Sequence, residues 1–556
     1  MPVFADKEGE KRLEFLHKQE EEELARMLSQ KYGVGYVDLS LVAINTDAIR
    51  LIPESEARDA EVAAFGRIGK KVSLAVRSPE NPKAKAATAK LEELGYGVTR
   101  YMTSRESLAR AFDRYKDLSY ATESKAGVFE LSSEEIESME KRVASVADIG
   151  VLIGEAVAMK RAYRITRVLE IILAGGLATG SSDIHFEPEE VHVRLRYRLD
   201  GVLADVLTLD QETYRLLLSR IKLISGLKLN ITGEAQDGRF SIRHKGSDVE
   251  IRTSILPGAY AETVVLRILD PKTIGVPLEE LGIDEKLLPV LLREIEKPNG
   301  MLLTTGPTGS GKTTTLYAFL KKINKPGTKI ITIEDPIEYH LGGIVQTQID
   351  KKNYTFSQGL RSALRQDPDI IMVGEIRDEE VAEVAINAAL TGHLVFSTLH
   401  TNNAAGSFPR LIDLGINPKV IGSAVSLAMA QRLLRKLCVS CKKKRAATPD
   451  EFTIIKRFTD SITDRARVPA ERGVIYEALG CDACRGVGYK GRIGIYEAIR
   501  MDASIEKILR ESPGEREVAE AARAQGLLTM EEDGVLKVLR GITSLEELAR
   551  VVDLSG

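Results

Sequence analysis

Apolar residues recur at helical spacing in a charged stretch near the start of the chain, and this period predicts a helix from about Gly9 to Gln30. From Tyr36 to Tyr120, strand-like runs such as Val72–Val76 alternate with helical stretches such as Pro82–Leu94. This alternation predicts a small α/β domain over residues 1–120, to which we assign an interaction role.

Residues 121–164 are predicted to form a linker and a helix, because a capping box begins at Ser132. Apolar and basic residues then alternate over Val191–Arg198, and a second alternating stretch covers Val249–Leu269. With a helical stretch between them, these patterns predict an α+β domain over residues 165–270 that has one cationic face.

From Ile283 onward, the order helix, strand, glycine loop, helix, strand, helix, strand predicts a parallel sheet covered by helices. The fold class is therefore α/β, with a parallel-sheet core over residues 283–430 that follows a linker over 271–282. We expect a small tetracysteine subdomain over 431–495 and a helical subdomain over 496–556.

A chain of 556 residues is too long for one ordinary core, and 43% hydrophobic with 29% charged residues is typical of globular proteins. The formal charge of −3 provides no overall basic field, so no stable nucleic-acid binding is expected. The best apolar candidate for a membrane span, Val420–Ala430, is too short, and the N-terminus lacks a secretory apolar segment. These features predict a cytoplasmic protein.

A phosphate-binding loop follows the apolar stretch Met301–Thr305 and precedes a helical stretch, which is the context that this motif requires. Backbone N–H groups of the loop would surround the phosphates of ATP, Lys312 would reach the β and γ phosphates, and Thr313 would bind magnesium. The predicted nucleotide-binding residues are Gly306, Pro307, Thr308, Gly309, Ser310, Gly311, Lys312, Thr313 and Thr314.

Acidic residues follow two further strand-like runs. Glu334, Asp335 and Glu338 surround the end of the first, and Glu375 ends the second. Because ligands collect at the carboxyl ends of parallel strands, one carboxylate would order the magnesium and another would activate the attacking water. His400 ends a third strand and could sense the phosphate, although acids and a histidine at such places can also be purely structural.

The four cysteines form two Cys-x-x-Cys pairs separated by 39 residues, a spacing suited to a closed tetrahedral zinc site. A redox pair and an iron–sulfur cluster are the competing interpretations. We predict a structural zinc held by Cys438, Cys441, Cys481 and Cys484.

At this level of detail the chain resembles the secretion-type traffic ATPases, the motors of bacterial type IV pilus assembly and type II secretion. The similarity covers about Ile165 to Gly556 and includes the family signature, its histidine and aspartate boxes, and motifs of the flanking domains. The corresponding segments are Leu364–Asp378, Thr391–His400, Glu334–Glu338, Ser182–Pro188, Arg198–Gly201 and Gln431–Arg435.

The resemblance implies specific roles for the acidic residues. Glu338 corresponds to the general base, Glu375 to the Walker B glutamate, and Glu334 with Asp335 to supporting groups near the metal. Spacing alone does not choose between Glu334 and Glu338.

The resemblance also implies a homohexamer, with a RecA-like ATPase domain and a preceding PAS-like domain whose arginines reach the ATP phosphates. Arg252 and Arg267 fit that pattern best. The other candidates in the same region are Arg194, Arg196, Arg198 and Arg239.

Two positions depart from the family pattern. Ala261 stands before Glu262 where relatives commonly have glycine, so the approach of the backbone there is uncertain. Some N-terminal domains of the family bind cyclic di-GMP through an Arg-Leu-Gly motif, but here Arg12-Leu13 is followed by Glu14. We therefore predict no binding of cyclic di-GMP.

Retraction motors of this superfamily usually lack the long N-terminal domain and the four cysteines, so assembly or secretion is favoured. We predict an ATPase that powers type IV pilus assembly, placed peripherally at the inner face of the cell membrane through an inner-membrane platform protein. The alternatives are a type II secretion ATPase and a DNA-processing P-loop motor, and a non-hydrolysing scaffold is disfavoured by the intact Lys312, Glu338 and Glu375.

Overall fold

A computed structural model of the chain describes residues 7–42, 44–49, 51–117, 122–124, 128–131, 133–143, 145–158, 161–244, 247–270, 275–350 and 354–555. The chain divides into two compact units. The first contains residues 1–122 with 156–170, and the second contains 123–155 with 171–556.

The first unit contains a four-stranded sheet in the order β1-β4-β3-β2, flanked by helices. The predicted helix over Gly9–Gln30 is observed with slightly wider bounds. The side chains of Arg12, Leu13 and Glu14, on which the prediction about cyclic di-GMP depends, lie outside the described part. The elements are α1 (Lys7–Tyr32), β1 (Gly35–Tyr36), α2 (Thr46–Ile49), α3 (Glu54–Ala60), β2 (Val62–Ile68), β3 (Lys71–Val76), α4 (Pro82–Glu93), β4 (Gly97–Met102) and α5 (Arg105–Asp113).

An eight-stranded sheet follows in the order β5-β6-β10-β11-β12-β7-β8-β9. The alternating stretch over Val249–Leu269 forms two antiparallel strands, and Arg252 lies opposite Arg267. The elements are β5 (Thr122–Ser124), β6 (Val128–Glu130), α6 (Ser133–Arg142), α7 (Val146–Val157), α8 (Arg161–Thr179), β7 (Asp183–Pro188), β8 (His192–Leu199), β9 (Val202–Asp210), α9 (Gln211–Ile224), β10 (Gln236–His244), β11 (Ser247–Leu256) and β12 (Thr263–Leu269).

A seven-stranded sheet in the order β15-β14-β16-β17-β13-β18-β21 forms the centre of the nucleotide-binding region. Its strands are parallel except β21 (Tyr489–Arg500), which pairs antiparallel with β18 (Val425–Leu437). The elements up to β18 are α10 (Leu287–Ile295), β13 (Gly300–Thr305), α11 (Lys312–Ile323), β14 (Ile330–Glu334), β15 (Val345–Gln348), α12 (Phe356–Leu364), β16 (Ile370–Val373), α13 (Glu379–Leu390), β17 (Leu394–Leu399), α14 (Ser407–Asp413), α15 (Pro418–Ala424) and β18 (Val425–Leu437).

The sheet is buried on both faces because helices pack on each side of it. Every residue of β13 is buried, as the continuous apolar run Met301–Leu303 at its centre requires of a central parallel strand. One apolar core lies on the side of Leu302 and Leu316, and a larger one on the side of Leu303 and Val373.

The C-terminal part is built onto the edge of this sheet. The boundary expected between residues 430 and 431 falls inside β18, so the cysteine-containing segment begins on a strand of the nucleotide-binding sheet. The remaining elements are β19 (Lys443–Ala446), α16 (Pro449–Ser461), β20 (Val474–Glu477), β21 (Tyr489–Arg500), α17 (Ala503–Leu509), α18 (Glu515–Ala522), α19 (Met530–Leu539) and α20 (Leu545–Val551). Over the described residues, no helix combines the length and the apolar character needed to cross a membrane.

Candidate nucleotide-binding site

The loop Gly306–Gly311 joins β13 to the N-terminus of α11, as the sequence predicts. Gly306 has φ 142°, and a Cβ there would lie 2.6 Å from the carbonyl oxygen of Gln431, so only glycine fits. Gly311, with φ 91°, precedes the first helical residue, Lys312. The result is a tight turn that places a helix N-terminus under the loop, a geometry that attracts phosphate.

Lys312 folds back over this loop. Its ammonium donates to the carbonyl oxygen of Gly306 at 2.7 Å and to that of Pro307 at 3.1 Å. Burial lowers the pKa of Lys312, and the nearby Glu375 carboxylate opposes that shift. A phosphate would supply the negative charge that this partly buried ammonium requires.

Glu334 at the end of β14 is held inside the sheet. It is only 3% exposed, it accepts hydrogen bonds from the hydroxyls of Tyr317 and Thr332, and the Gln346 side-chain amide donates to it at 3.1 Å. These neutral donors occupy both carboxylate oxygens. Glu334 is therefore a buried acceptor within a hydrogen-bond network.

Glu375 lies beyond the end of β16 and faces two cationic or polar groups. It forms an ion pair with Arg377, and His400 Nε2 lies 3.0 Å from its Oε2. Burial alone would raise the pKa of Glu375, but Arg377 and His400 outweigh it and the pKa falls below its ordinary value. Asp335 joins the group, 3.5 Å from an Arg377 nitrogen.

Glu338 contacts an arginine of the eight-stranded sheet. Arg252 Nη1 donates to Glu338 Oε2 at 3.1 Å, and Nη2 donates to the carbonyl oxygen of Ile337 at 2.7 Å. Glu250 holds the same guanidinium at 3.1 Å through Nε. Arg252 thus reaches the loop after β14 from a sheet that precedes the nucleotide-binding sheet in the chain.

Arg267, the other favoured arginine, has a different partner. Its Nε donates to Asp183 Oδ1 at 2.9 Å, although 55% of the side chain remains exposed. Asp183 also faces Arg198, whose Nε is 3.4 Å away. The structure therefore brings Arg252 to the acidic loop and pairs Arg267 within its own sheet.

The four cysteines gather into one cluster. All four sulfur atoms lie within 4.8 Å of one another, and three of the pairs are 3.7–3.9 Å apart. A tetrahedral metal with Zn–S bonds of about 2.3 Å would separate its ligands by about 3.8 Å, so these sulfurs fit zinc.

The backbone around Cys484 favours the thiolate form of that residue. N–H groups of Cys481 and Gly488 donate to Cys484 Sγ at 3.2 Å each. Burial opposes ionisation, but these donors and the neighbouring thiols lower the pKa of Cys484 to about 7. A thiolate is the form that binds zinc.

The cysteine turn also contacts the region of the eight-stranded sheet. Arg485 has φ 53° directly after Cys484, and its guanidinium donates to the carbonyl oxygens of Thr179 and Ala178 at 2.8 and 2.7 Å. These two residues end α8, where backbone carbonyls lack helical partners. Nearby, the Gly491 N–H donates to Asp200 Oδ2 at 2.9 Å.

Three residues at the site received no role from the sequence. Arg377 stands in the signature segment, and Gln431 and Arg432 stand in the motif that precedes the cysteines, so the motifs named all three. Their functions depend on which strands become neighbours. The sequence places these residues in motifs but does not show which residues they contact.

Comparisons with known proteins identify the family to which the sequence is related. Residues 159–550 match the family described as Type II/IV secretion system protein, and residues 32–122 match the MshEN domain. The chain is 35% identical to the type IV pilus assembly ATPase PilB of Myxococcus xanthus over 539 residues, which are 95% of this chain and 91% of that protein.

It is 45% identical to type II secretion system protein E of Pseudomonas aeruginosa over 388 residues, 70% of this chain and 75% of that protein. The solved structure of the Legionella pneumophila ATPase DotB matches with a TM-score of 0.50 at 22% identity, covering 69% of this chain and 94% of DotB. That similarity shows a shared fold, and the sequence matches establish the family.

Proposed function

This chain belongs to the type II/IV secretion system protein family, and on that premise we propose that it is the ATP-hydrolysing motor of type IV pilus assembly. The single observation that supports this choice is the extent of the pilus relative. Its similarity covers 95% of the chain, including the N-terminal unit, whereas the type II relative aligns with 70%.

ATP binds with its phosphates in the loop Gly306–Gly311. Backbone N–H groups of that loop and of the first turn of α11 hydrogen-bond the phosphate oxygens, and Lys312 exchanges its carbonyl contacts for the β and γ phosphates. Thr313 would hold magnesium together with water ordered by Glu375, and the ion would neutralise charge on the phosphates.

Glu338 acts as the general base. It accepts a proton from the water that attacks the γ phosphorus, the bond to the β-phosphate oxygen breaks, and ADP and phosphate leave. In the structure its carboxylate is held by Arg252 at 3.1 Å.

Arg252 changes partners in the working cycle. The γ phosphate attracts its guanidinium away from Glu338, which frees the base and places positive charge where charge develops in the transition state. Arg252 belongs to the eight-stranded sheet, and Glu338 belongs to the loop that follows β14 of the nucleotide-binding sheet. Loss of the γ phosphate on hydrolysis would let Arg252 return to Glu338, so the contact between the two regions changes and motion follows.

The other assignments complete the motor. The eight-stranded sheet region serves as the arginine-supplying, PAS-like domain, and zinc at the four cysteines is structural. Six copies form the ring, which acts in the cytoplasm against an inner-membrane platform protein. Type II secretion remains the second candidate, because the relative from that system is the more identical one where it aligns.

Deleting the gene in the organism that encodes this chain distinguishes the two systems. We expect loss of surface pili by electron microscopy, unchanged export of proteins to the medium, and restoration by the wild-type gene but not by Lys312→Ala. Loss of export with intact pili would assign the chain to secretion, and absence of phosphate release by the purified chain with ATP and magnesium would contradict a motor of either kind.

A further inference from the structure

Arg432 lies on β18 beside the phosphate-binding loop, although the mechanism above gives it no role. A Cβ on Gly306 would lie 3.0 Å from Arg432 Nη1. The guanidinium is also close enough to Lys312 to disfavour the charged form of that ammonium. Arg432 is therefore at the edge of the phosphate site.

Its guanidinium joins two chain segments. Nη1 donates to the carbonyl oxygen of Gln431 at 3.1 Å, and Nη2 donates to that of Asn402 at 2.7 Å. Asn402 is two residues after His400, which contacts Glu375. The arginine thus fixes the loop that follows β17 against β18.

Gln431 extends the same link to the phosphate-binding loop. Its side chain is 1% exposed, and its amide donates to the carbonyl oxygen of Ser310 at 2.8 Å. Adjacent residues of β18 therefore contact both the loop that would surround the phosphates and the loop that begins with His400. A displacement of one of these loops would therefore be transmitted to the other through β18.

The loop after β17 has further anchors in the C-terminal part. The Ala404 N–H donates to Glu497 Oε1 at 2.6 Å, and the Thr401 N–H donates to Thr305 Oγ1 at 2.8 Å. These bonds fix its ends at β13 and β21, so Arg432 is the contact that holds Asn402 between them. A lysine could not donate to two carbonyls with this fixed planar geometry.

We propose that Arg432 is a positioning residue that sets the location of His400, and through it of Glu375, relative to the phosphate-binding loop. The inference rests on the proposed ATP hydrolysis. It adds a connection between the phosphate-binding loop and Glu375, and this connection does not involve Arg252. Its loss should slow hydrolysis while ATP still binds.

The test compares wild type with Arg432→Lys, and uses Arg510→Lys as a matched control at an exposed i, i+4 ion pair. For Arg432→Lys we expect kcat for ATP hydrolysis to fall roughly tenfold or more, with the Kd for a fluorescent ATP analogue within about twofold of wild type. Hydrogen exchange should accelerate at residues 401–404 and stay unchanged at β14 and β16.

The route through His400 is tested by a double variant. His400→Ala and Arg432→Lys should each slow hydrolysis, and the combined protein should be no slower than the slower single variant, because both changes remove one unit. The proposal would be overturned if the effects of the two substitutions on kcat multiplied in the double variant, or if either single variant had an unchanged kcat. It would also be overturned if the Kd for the ATP analogue rose in proportion to the loss of kcat.

Failure of the underlying function has a distinct signature, since wild type itself would then release no phosphate. If Arg432→Lys does not fold, as judged by its thermal transition, Arg432→Gln replaces it because the amide keeps one of the two donors. The single and double variants are then compared in the same way with Arg432→Gln and His400→Ala, and the same results support or overturn the proposal.

Discussion

Glu334 and Glu338 are four residues apart and have opposite surroundings. Glu334 accepts hydrogen bonds from Tyr317, Thr332 and Gln346 inside the sheet, whereas Glu338 lies in the following loop against the guanidinium of Arg252. A base must be accessible to water, and Glu334 is only 3% exposed whereas 30% of the Glu338 side chain is exposed. This difference supports our proposal that Glu338, and not Glu334, is the base.

Lys312→Ala should abolish most nucleotide affinity. A charge-assisted hydrogen bond contributes roughly 1.5–3 kcal/mol, so the Kd for ATP should rise about tenfold to a hundredfold. Lys321→Ala, in the last turn of the same helix, is the control and should bind normally. Equal affinity of Lys312→Ala and wild type in a fluorescence titration would contradict the assigned phosphate site.

Glu497 makes stability depend on pH. Burial raises its pKa from 4.5 to about 7, while Glu531 adds to the shift and Arg432 opposes it. Between these two values the folded chain binds more protons than the unfolded chain, so stability from this group is present below pH 4.5 and is lost as pH rises toward 7.

The neutral variant Glu497→Gln isolates this effect. We expect its thermal midpoint relative to wild type to be several degrees higher at pH 8 than at pH 5, which corresponds to roughly 1–3 kcal/mol. Differential scanning calorimetry at the two pH values measures it. A difference that does not change with pH would show that Glu497 titrates normally.

At the scale of elements, β18 connects features that are far apart in sequence. It pairs with β13 on one side and with β21 on the other, and its far end leads to Cys438. One strand therefore borders the phosphate-binding loop, anchors Arg432 and begins the cysteine cluster. A displacement of β18 would therefore move the phosphate-binding loop, Arg432 and the cysteine cluster.

Removing the metal should loosen the turn that bears Arg485. We expect about one zinc per chain, and faster hydrogen exchange after chelation at residues 481–488 and at the end of α8, because Arg485 would no longer be held against Ala178 and Thr179. Zinc should restore protection, and strands β14 and β16 serve as internal controls. Unchanged exchange in metal-free protein would exclude this structural role.

The sequence predicted those elements whose signals are local. The phosphate-binding loop between a buried strand and a helix, and the cysteine pairs, follow from residues near one another in the chain. The alternating pattern over Val249–Leu269 does not by itself show where β11 ends and β12 begins, because both strands alternate in the same way on either side of Pro257-Gly258. The extension of β18 beyond residue 430 depends on pairing with β21, which no local pattern shows.

At the scale of the whole second unit, the contact between Arg252 and Glu338 joins the eight-stranded sheet to the loop after β14. Arg252 and Glu338 are separated by 86 residues, and only the placement of the sheets brings them within 3.1 Å. The sequence could propose six arginines for this role but could not choose by distance. The fold places Arg252 beside Glu338 and pairs Arg267 with Asp183, which is why we propose Arg252 for this role.

Arg252→Ala tests the link between the sheets. Removing one preorganised donor to a developing charge typically costs 10²–10³ in kcat, and we expect a loss of about that size with ATP affinity changed far less. Arg243→Ala, on the neighbouring strand β10 and paired with Asp248, is the control and should retain activity. Full activity of Arg252→Ala would remove this arginine from the cycle.

The most direct test of the whole account is the rate of ATP hydrolysis by Glu338→Gln in a single-turnover experiment with bound ATP. The amide keeps the size of the side chain but cannot accept the proton of water, so we predict a rate lower by about 10²–10⁴ with ATP still bound. Hydrolysis at the wild-type rate would contradict the account, because it would show that the carboxylate held by Arg252 does not activate the water.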